Sequence, residues 1–229
     1  MMDSGLGEPL LDRWLADAAL LAPEAGPDLW LAEGSLLLRG WGEPHRRYHT
    51  VEHLMEVLAA VDELASSTAL CPDDSLLART IGWYHDLSYD PRAAAGSNEH
   101  RSATMARDHL HRLGVDLDVI DVVEAGVLMT VDHQVGGDPL QTVVLDVFHD
   151  ADLWILSAPA ARYATYCQQV RQEYAHVPDD LFRVGRLAVL TPFLTRERLY
   201  RTDHAHHAWT DRARANVSRE VEVLGASAT

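Results

Sequence analysis

The sequence contains no lysine, so all 19 of its basic residues are arginines, and it contains only two cysteines. Cys71 and Cys167 lack the spacing of a metal site, and so low a cysteine content favours a reducing compartment. No apolar run is long enough to span a bilayer, and the first 25 residues carry acids where a secretory signal begins with basic residues. We therefore expect a soluble, cytoplasmic protein.

Positive charge is also scarce, because 35 acidic residues face 19 basic ones and the formal net charge is −16. A field of that sign repels nucleic-acid backbones and anionic membranes, so we expect neither as a partner. It also repels a phosphorylated substrate unless a bound cation and a few arginines reverse the local sign. A homo-oligomer is compatible with the sequence.

Hydrophobic residues make up 47% of the 229 residues, which is enough for a folded core, and they recur with helical period along nearly the whole chain. Strand patterns are weak. Helix starts are predicted at Thr50 as an N-cap, within Asp73–Ser75, at Ser97 or Asn98, and at Pro139 in a first helical position. A further helix is predicted to begin at Asp118 and to end near His133. The sequence thus predicts a single all-α domain.

The dipeptide His85-Asp86 is the most informative feature of the chain. It lies in the apolar stretch Ile81–Leu87, among residues that otherwise look like core. Charged side chains are almost never fully buried unless they are paired or bind a metal. A buried ion pair or a helix C-cap is the simpler alternative for this dipeptide.

Other possible ligands lie in the helices before and after this dipeptide. His49 and His53 are four residues apart, but Thr50 as an N-cap leaves His49 just outside the helix that carries His53. Asp150 and Asp152 occur further along the chain. Two histidines and two carboxylates suit a borderline or hard divalent cation, because two acids cancel its charge.

The order His…His-Asp…Asp along an all-α chain resembles the HD-domain superfamily of metal-dependent phosphohydrolases. Tyr48-His49-x-x-x-His53 is also similar to the motif that opens the metal site of cyclic-nucleotide phosphodiesterases. Within the superfamily, the local sequence most resembles an uncharacterised prokaryotic branch, and this resemblance extends from about the second helix to the last. The motifs that carry it are Arg46-x-Tyr48-His49-Thr50-x-x-His53, Tyr84-His85-Asp86-x-x-Tyr89-Asp90-Pro91, Asn98-Glu99-x-Arg101-Ser102-Ala103 and Asp150-Ala151-Asp152-Leu153.

The resemblance implies one HD-type helical bundle over residues 1–229. Its core would span about 28–195, with terminal helices packed on it and the metal site between the central helices. The implied ligands of a divalent ion (Mn, Mg, Fe, Ni, Co or Zn) are His53, His85, Asp86 and Asp152. Asp150 is a rival to Asp152, although the superfamily's Ala-Asp dipeptide favours Asp152.

The implied reaction is hydrolysis of a phosphate ester of a small molecule, with a nucleotide or related metabolite as the expected substrate. His49 would be a general acid, and Glu99 would orient the attacking water or accept its proton. Arg46 and Arg101 are candidate phosphate anchors, because a guanidinium offers a planar bidentate fork, although salt bridges are their ordinary use. His133 would contact substrate or help to bind a second metal.

Two alternatives stay open at the level of sequence. An iron oxygenase or lyase on the same scaffold would need a dinuclear centre with extra ligands such as Glu99, His100 or His133. A ligand-binding protein that kept the fold without catalysis is the other alternative.

Overall fold

Helices account for all the regular structure in the computed structural model, which describes residues 7–68, 70–133 and 139–226. A 3₁₀ helix, Leu153–Ser157, directly follows the seventh α-helix. Within the described residues the α-helices are α1 (Gly7–Leu21), α2 (Pro27–Trp41), α3 (Val51–Thr68), α4 (Pro72–Tyr84), α5 (Ser97–Arg112), α6 (Leu117–Met129), α7 (Pro139–Asp152), α8 (Ala160–Glu173), α9 (Asp179–Thr195) and α10 (Asp203–Ala226).

Local signals mark some of the helix ends. Thr50 precedes α3, and its Oγ1 accepts a hydrogen bond of 3.3 Å from the backbone N–H of Glu52. The start of α4 was predicted too late, since Pro72 occupies the first turn and the Cys71 sulfur accepts from the backbone N–H of Asp74. The end of α6 was also predicted too late, because His133 has a φ of 54°, which an α-helix does not accommodate.

The centre of the fold is the packing of α3 and α4 against each other and against α7. Gly82 on α4 lies where a Cβ would come within 3.3 Å of Val57 Cγ1 on α3. Gly126 on α6 lies where a Cβ would come within 2.6 Å of Ile81 on α4. Because neither glycine has a side chain, α3 and α6 can both approach α4 closely. The close approach of α3 brings the start of α3 to the end of α4.

Large aromatic side chains fill the core around these helices. The rings of Trp14 and Trp83 meet edge to face at 5.5 Å, and the Trp41 indole N–H donates to the Trp83 carbonyl at 3.0 Å. All ten helices contribute residues to one hydrophobic cluster, so the prediction of a single all-α domain is confirmed for the described residues. Among these residues, no helix is both long and apolar enough to cross a membrane.

Candidate metal centre

Three helix ends bring His53, His85 and Asp152 together. His53 lies in the first turn of α3, His85 follows the last residue of α4, and Asp152 is the last residue of α7. Both histidines are buried, with exposed fractions of 3% and 1%. These three residues form a group that can hold a metal ion.

The distances within this group suit a common ion. The Nε2 atoms of His53 and His85 are 3.2 Å apart, and each lies 3.4 Å from Oδ1 of Asp152. Neighbouring ligands on one ion, each bonded at about 2.1 Å, are separated by roughly 3.0–3.4 Å in octahedral or tetrahedral geometry. The residues present therefore fit a divalent cation.

Contacts behind the histidines orient them toward this point. The Gly82 carbonyl lies 2.9 Å from Nδ1 of His85 and accepts its N–H, so the lone pair of the neutral ring, the form that binds a metal, is on Nε2. The Tyr48 ring lies 4.6 Å from the His53 ring, and the Trp41 ring lies 5.3 Å from the His85 ring. Packing thus restricts both imidazoles to one orientation.

Asp86, the other half of the His85-Asp86 dipeptide, adjoins the same group. Its Oδ2 lies 3.3 Å from Nε2 of His85, 4.0 Å from Nε2 of His53 and 3.8 Å from Nε2 of His49. The four side chains that the sequence proposed as ligands are therefore close neighbours in the fold.

Carboxylate charge dominates the electrostatics of this centre. Burial lowers the pKa of His85, but the charges of Asp86 and Asp152 outweigh burial and raise that pKa to about 10. Burial raises the pKa of each carboxyl group, yet the histidines beside them hold the pKa of both Asp86 and Asp152 below its ordinary value. Burial lowers the pKa of His53, which keeps that ring neutral. Two ionised carboxylates beside imidazole nitrogens attract a cation.

Asp150, the rival of Asp152, has a different role. Its carboxylate is fully buried and accepts hydrogen bonds from the backbone N–H of Arg201, from the backbone N–H and hydroxyl of Thr202, and from Nδ1 of His149. These bonds anchor the start of α10 to the end of α7. With its oxygens so engaged, Asp150 is a structural residue.

Glu173 is a residue of this centre that the sequence analysis missed. Its Oε1 accepts from the backbone N–H groups of Arg47, Tyr48 and His49, and its Oε2 accepts from Nδ1 of His49 and the hydroxyl of Tyr89. Because Glu173 ends α8, more than 120 residues away, no local motif marks it. It holds His49 with Nε2 on the side of Asp86.

Glu173→Gln is expected to lower the free energy of unfolding by about 3 kcal/mol near pH 7. Burial raises the pKa of Glu173, but bonds from His49 and the backbone outweigh burial and lower it to about 2. A lowered pKa in the folded state stabilises the protein above the ordinary glutamate pKa, and this contribution disappears as the pH falls toward 2. Urea unfolding of both proteins from pH 7 to pH 3 tests this.

The two unfolding curves should converge as the pH falls. A stability difference that stays constant over this range would contradict the assignment. A matched control is Glu222→Gln on α10, which changes an exposed acid and should not alter the pH dependence.

Arg46 is buried beside the turns that carry His49 and Asp86, and it does not face a substrate. It is 3% exposed, and its guanidinium donates to the carbonyls of His49, Asp86 and Leu87 and to the carboxylate of Glu43. These bonds satisfy backbone groups at the turns that carry His49 and Asp86. The predicted phosphate contact is therefore replaced by a structural one.

The remaining predicted residues differ in whether they line the cavity at the metal centre. Glu99 and His133 line the cavity at the metal centre. Arg101 is exposed, donates to Asn98 and borders a different surface pocket, so it does not reach this cavity. His100 is also exposed, with Nδ1 2.7 Å from the Gly96 carbonyl.

The cavity in front of the centre has a volume of about 190 Å³. Tyr48, His49, His53, Asp86 and Asp152 line the cavity at the metal centre, and residues of η1, α8 and α9 supply a further part of the lining. Here η1 denotes the 3₁₀ helix Leu153–Ser157. The fold and site thus define an all-helical protein with a histidine–aspartate group that can hold a metal ion.

No protein-family model, curated protein or solved structure matches this chain. The similarity to HD-domain hydrolases therefore stays a prediction that depends on the motifs themselves.

Proposed function

We propose that the protein is a metal-dependent phosphohydrolase that cleaves a phosphate ester of a small molecule. The observation that carries the proposal is the convergence of His53, His85 and Asp152, with Asp86 adjoining, at the wall of a cavity. Sites with open coordination positions in such a cavity are typical of hydrolytic metal centres.

A divalent ion held by these residues would lower the pKa of a bound water and would polarise a phosphoryl oxygen. His49 is the general acid of the proposal. Its Nδ1 lies 2.8 Å from Oε2 of Glu173, so that carboxylate orients the ring and leaves Nε2 to give a proton to the leaving oxygen. Glu99, at the cavity wall, is the residue proposed to orient the attacking water.

Neutral groups take over the substrate contacts that the sequence assigned to arginines. His133 and Tyr48 line the cavity, and the His133 Nδ1 and the Tyr48 hydroxyl are buried with no hydrogen-bond partner among the described residues. Burial lowers the pKa of His133 to about 4, so its ring stays neutral at pH 7. Both groups are suited to hydrogen bonds with phosphate oxygens, because unpaired buried polar atoms gain most from a ligand.

The test is to strip the protein with a chelator, reload it with Mn, Mg, Fe, Ni, Co or Zn, and assay phosphate monoesters and diesters. Hydrolysis is expected only after reloading. His49→Ala should keep the metal and lose about 100-fold or more in kcat on an alkyl phosphate, with a smaller loss on nitrophenyl phosphate, whose leaving group needs no acid.

His100→Ala is the matched control for this variant, since it removes an exposed histidine outside the cavity. Equal losses on both esters would contradict the acid role of His49. Two irons per chain with a visible absorption band would favour the oxygenase or lyase alternative. Metal binding without hydrolysis of any ester would favour the non-catalytic one.

A further inference from the structure

The two walls of the cavity differ in chemistry. The wall at the metal centre carries the histidines and carboxylates described above. The second part of the lining, here called the apolar wall, comes from η1, α8 and α9 and consists of Leu153, Ile155, Leu156, Tyr166, Val189, Leu190 and Phe193 together with the paired side chain of Arg186. A substrate must place its reacting group at the first wall, so the rest of the molecule meets the second.

The apolar wall offers no free positive charge among the described lining residues. Its one guanidinium, that of Arg186, is 9% exposed and donates to both carboxylate oxygens of Glu220. The Arg186 guanidinium also lies over the Tyr166 ring, 4.9 Å from its centroid. A substrate with a second anionic group would therefore lose hydration without gaining an ionic partner.

The cavity is also small for a nucleotide. Its volume of about 190 Å³ lies below the range of roughly 300–1,000 Å³ that is usual for pockets enclosing larger organic ligands. Leu190 and Phe193, with exposed fractions of 0% and 8%, are buried side chains of this lining. The volume of the cavity therefore suits a phosphate group together with one compact organic group.

We propose, building on the phosphohydrolase function above, that the substrate is a compact phosphate monoester with an apolar organic group, such as a single ring or a short branched chain. The apolar wall of η1, α8 and α9 binds this group. Water adds to phosphorus, the bond from phosphorus to the ester oxygen breaks, and that oxygen takes a proton to leave as the free alcohol. Nucleotides, which the sequence analysis expected as substrates alongside related metabolites, are poor substrates.

The test compares phenyl phosphate with phosphotyrosine and with AMP on metal-loaded protein. Phenyl phosphate and phosphotyrosine release phenols of similar pKa, so they differ chiefly in the charged amino-acid group that the apolar wall must accept. We expect kcat/KM for phenyl phosphate to exceed that for either competitor by about tenfold or more, because burying an unpaired charge is costly. Equal or better turnover of phosphotyrosine or AMP would overturn the proposal.

A pair of variants on α9 tests whether the apolar wall causes this substrate preference. Val189 lines the cavity and is 55% exposed, whereas Val184 is 59% exposed on the same helix and does not line it. Val189→Arg should shift the kcat/KM ratio toward phosphotyrosine by about fivefold, because the guanidinium can pair with the carboxylate of that substrate. Val184→Arg introduces the same charge and should leave the ratio unchanged. A similar shift in both variants would contradict a role for the apolar wall.

A binding measurement separates this proposal from the proposed function. Phenylphosphonate has no ester bond, and calorimetry on metal-loaded protein should find that it binds about tenfold more tightly than inorganic phosphate. Tight binding of phenylphosphonate without hydrolysis of any ester would remove the phosphohydrolase function and keep the apolar binding wall. Equal affinities for phenylphosphonate and phosphate would overturn the binding wall even if esters were hydrolysed.

Discussion

Asp152→Ala is expected to leave the purified protein without a bound divalent metal and to lower phosphate-ester hydrolysis about a thousandfold or more. The carboxylate lies 3.4 Å from Nε2 of both His53 and His85, so its loss removes one ligand and one of the two charges that attract the ion. In the proposed function, several kcal/mol of charge stabilisation at the transition state would depend on that ion, and each 1.36 kcal/mol corresponds to about a factor of ten in rate. Elemental analysis and steady-state kinetics measure the two effects.

Asp146→Ala is the matched control, because Asp146 is on the same helix, outside the metal group, and faces Arg201 at 3.5 Å. It should keep the metal and most of the activity. Full metal content in Asp152→Ala would remove this residue from the ligand set, and the proposed catalytic mechanism would then lose its central support.

Asp150→Ala is expected to lower the free energy of unfolding by about 3–5 kcal/mol, the largest stability effect that we predict. The substitution leaves two backbone N–H groups, at Arg201 and Thr202, without their acceptor, and it removes the partner of His149. Unpaired buried donors are costly because they lose hydration without regaining a hydrogen bond. Urea unfolding monitored by circular dichroism gives this value.

The contrast with Asp152→Ala distinguishes the two aspartates. Asp150→Ala should still bind metal at low temperature, whereas Asp152→Ala should not. Asp211→Ala, at an exposed position on α10, is expected to change stability by less than about 0.5 kcal/mol. Loss of metal with unchanged stability in Asp150→Ala would reverse the roles assigned to the two residues.

Short-range features of the sequence predicted the architecture well. The N-cap at Thr50 and the proline at Pro139 mark real helix starts, because capping and proline geometry depend on neighbouring residues alone. The end of α6 was predicted less well, since the positive φ of His133 has no signal in the apolar periodicity before it. The presence of the helices could be predicted from local chemistry, whereas the end of α6 could not.

The candidate ligands were also visible in the sequence, because charged residues stand out within apolar helical segments. The residues around them were not. Arg46 looked like a phosphate anchor, yet it donates to three backbone carbonyls beneath the centre. Glu173 gave no signal at all, although it contacts three consecutive backbone N–H groups and the side chain of His49.

The sequence by itself determined an all-helical chain of strong negative charge with two histidines and two aspartates at helix ends. Only the tertiary structure decided that Asp152 and not Asp150 joins the metal group, that Arg46 is structural, and that apolar side chains of η1, α8 and α9 line the same cavity as the metal group. The physical reason is that helix formation depends on residues within about one turn of each other, whereas burial and hydrogen-bond partners depend on segments far apart in the chain.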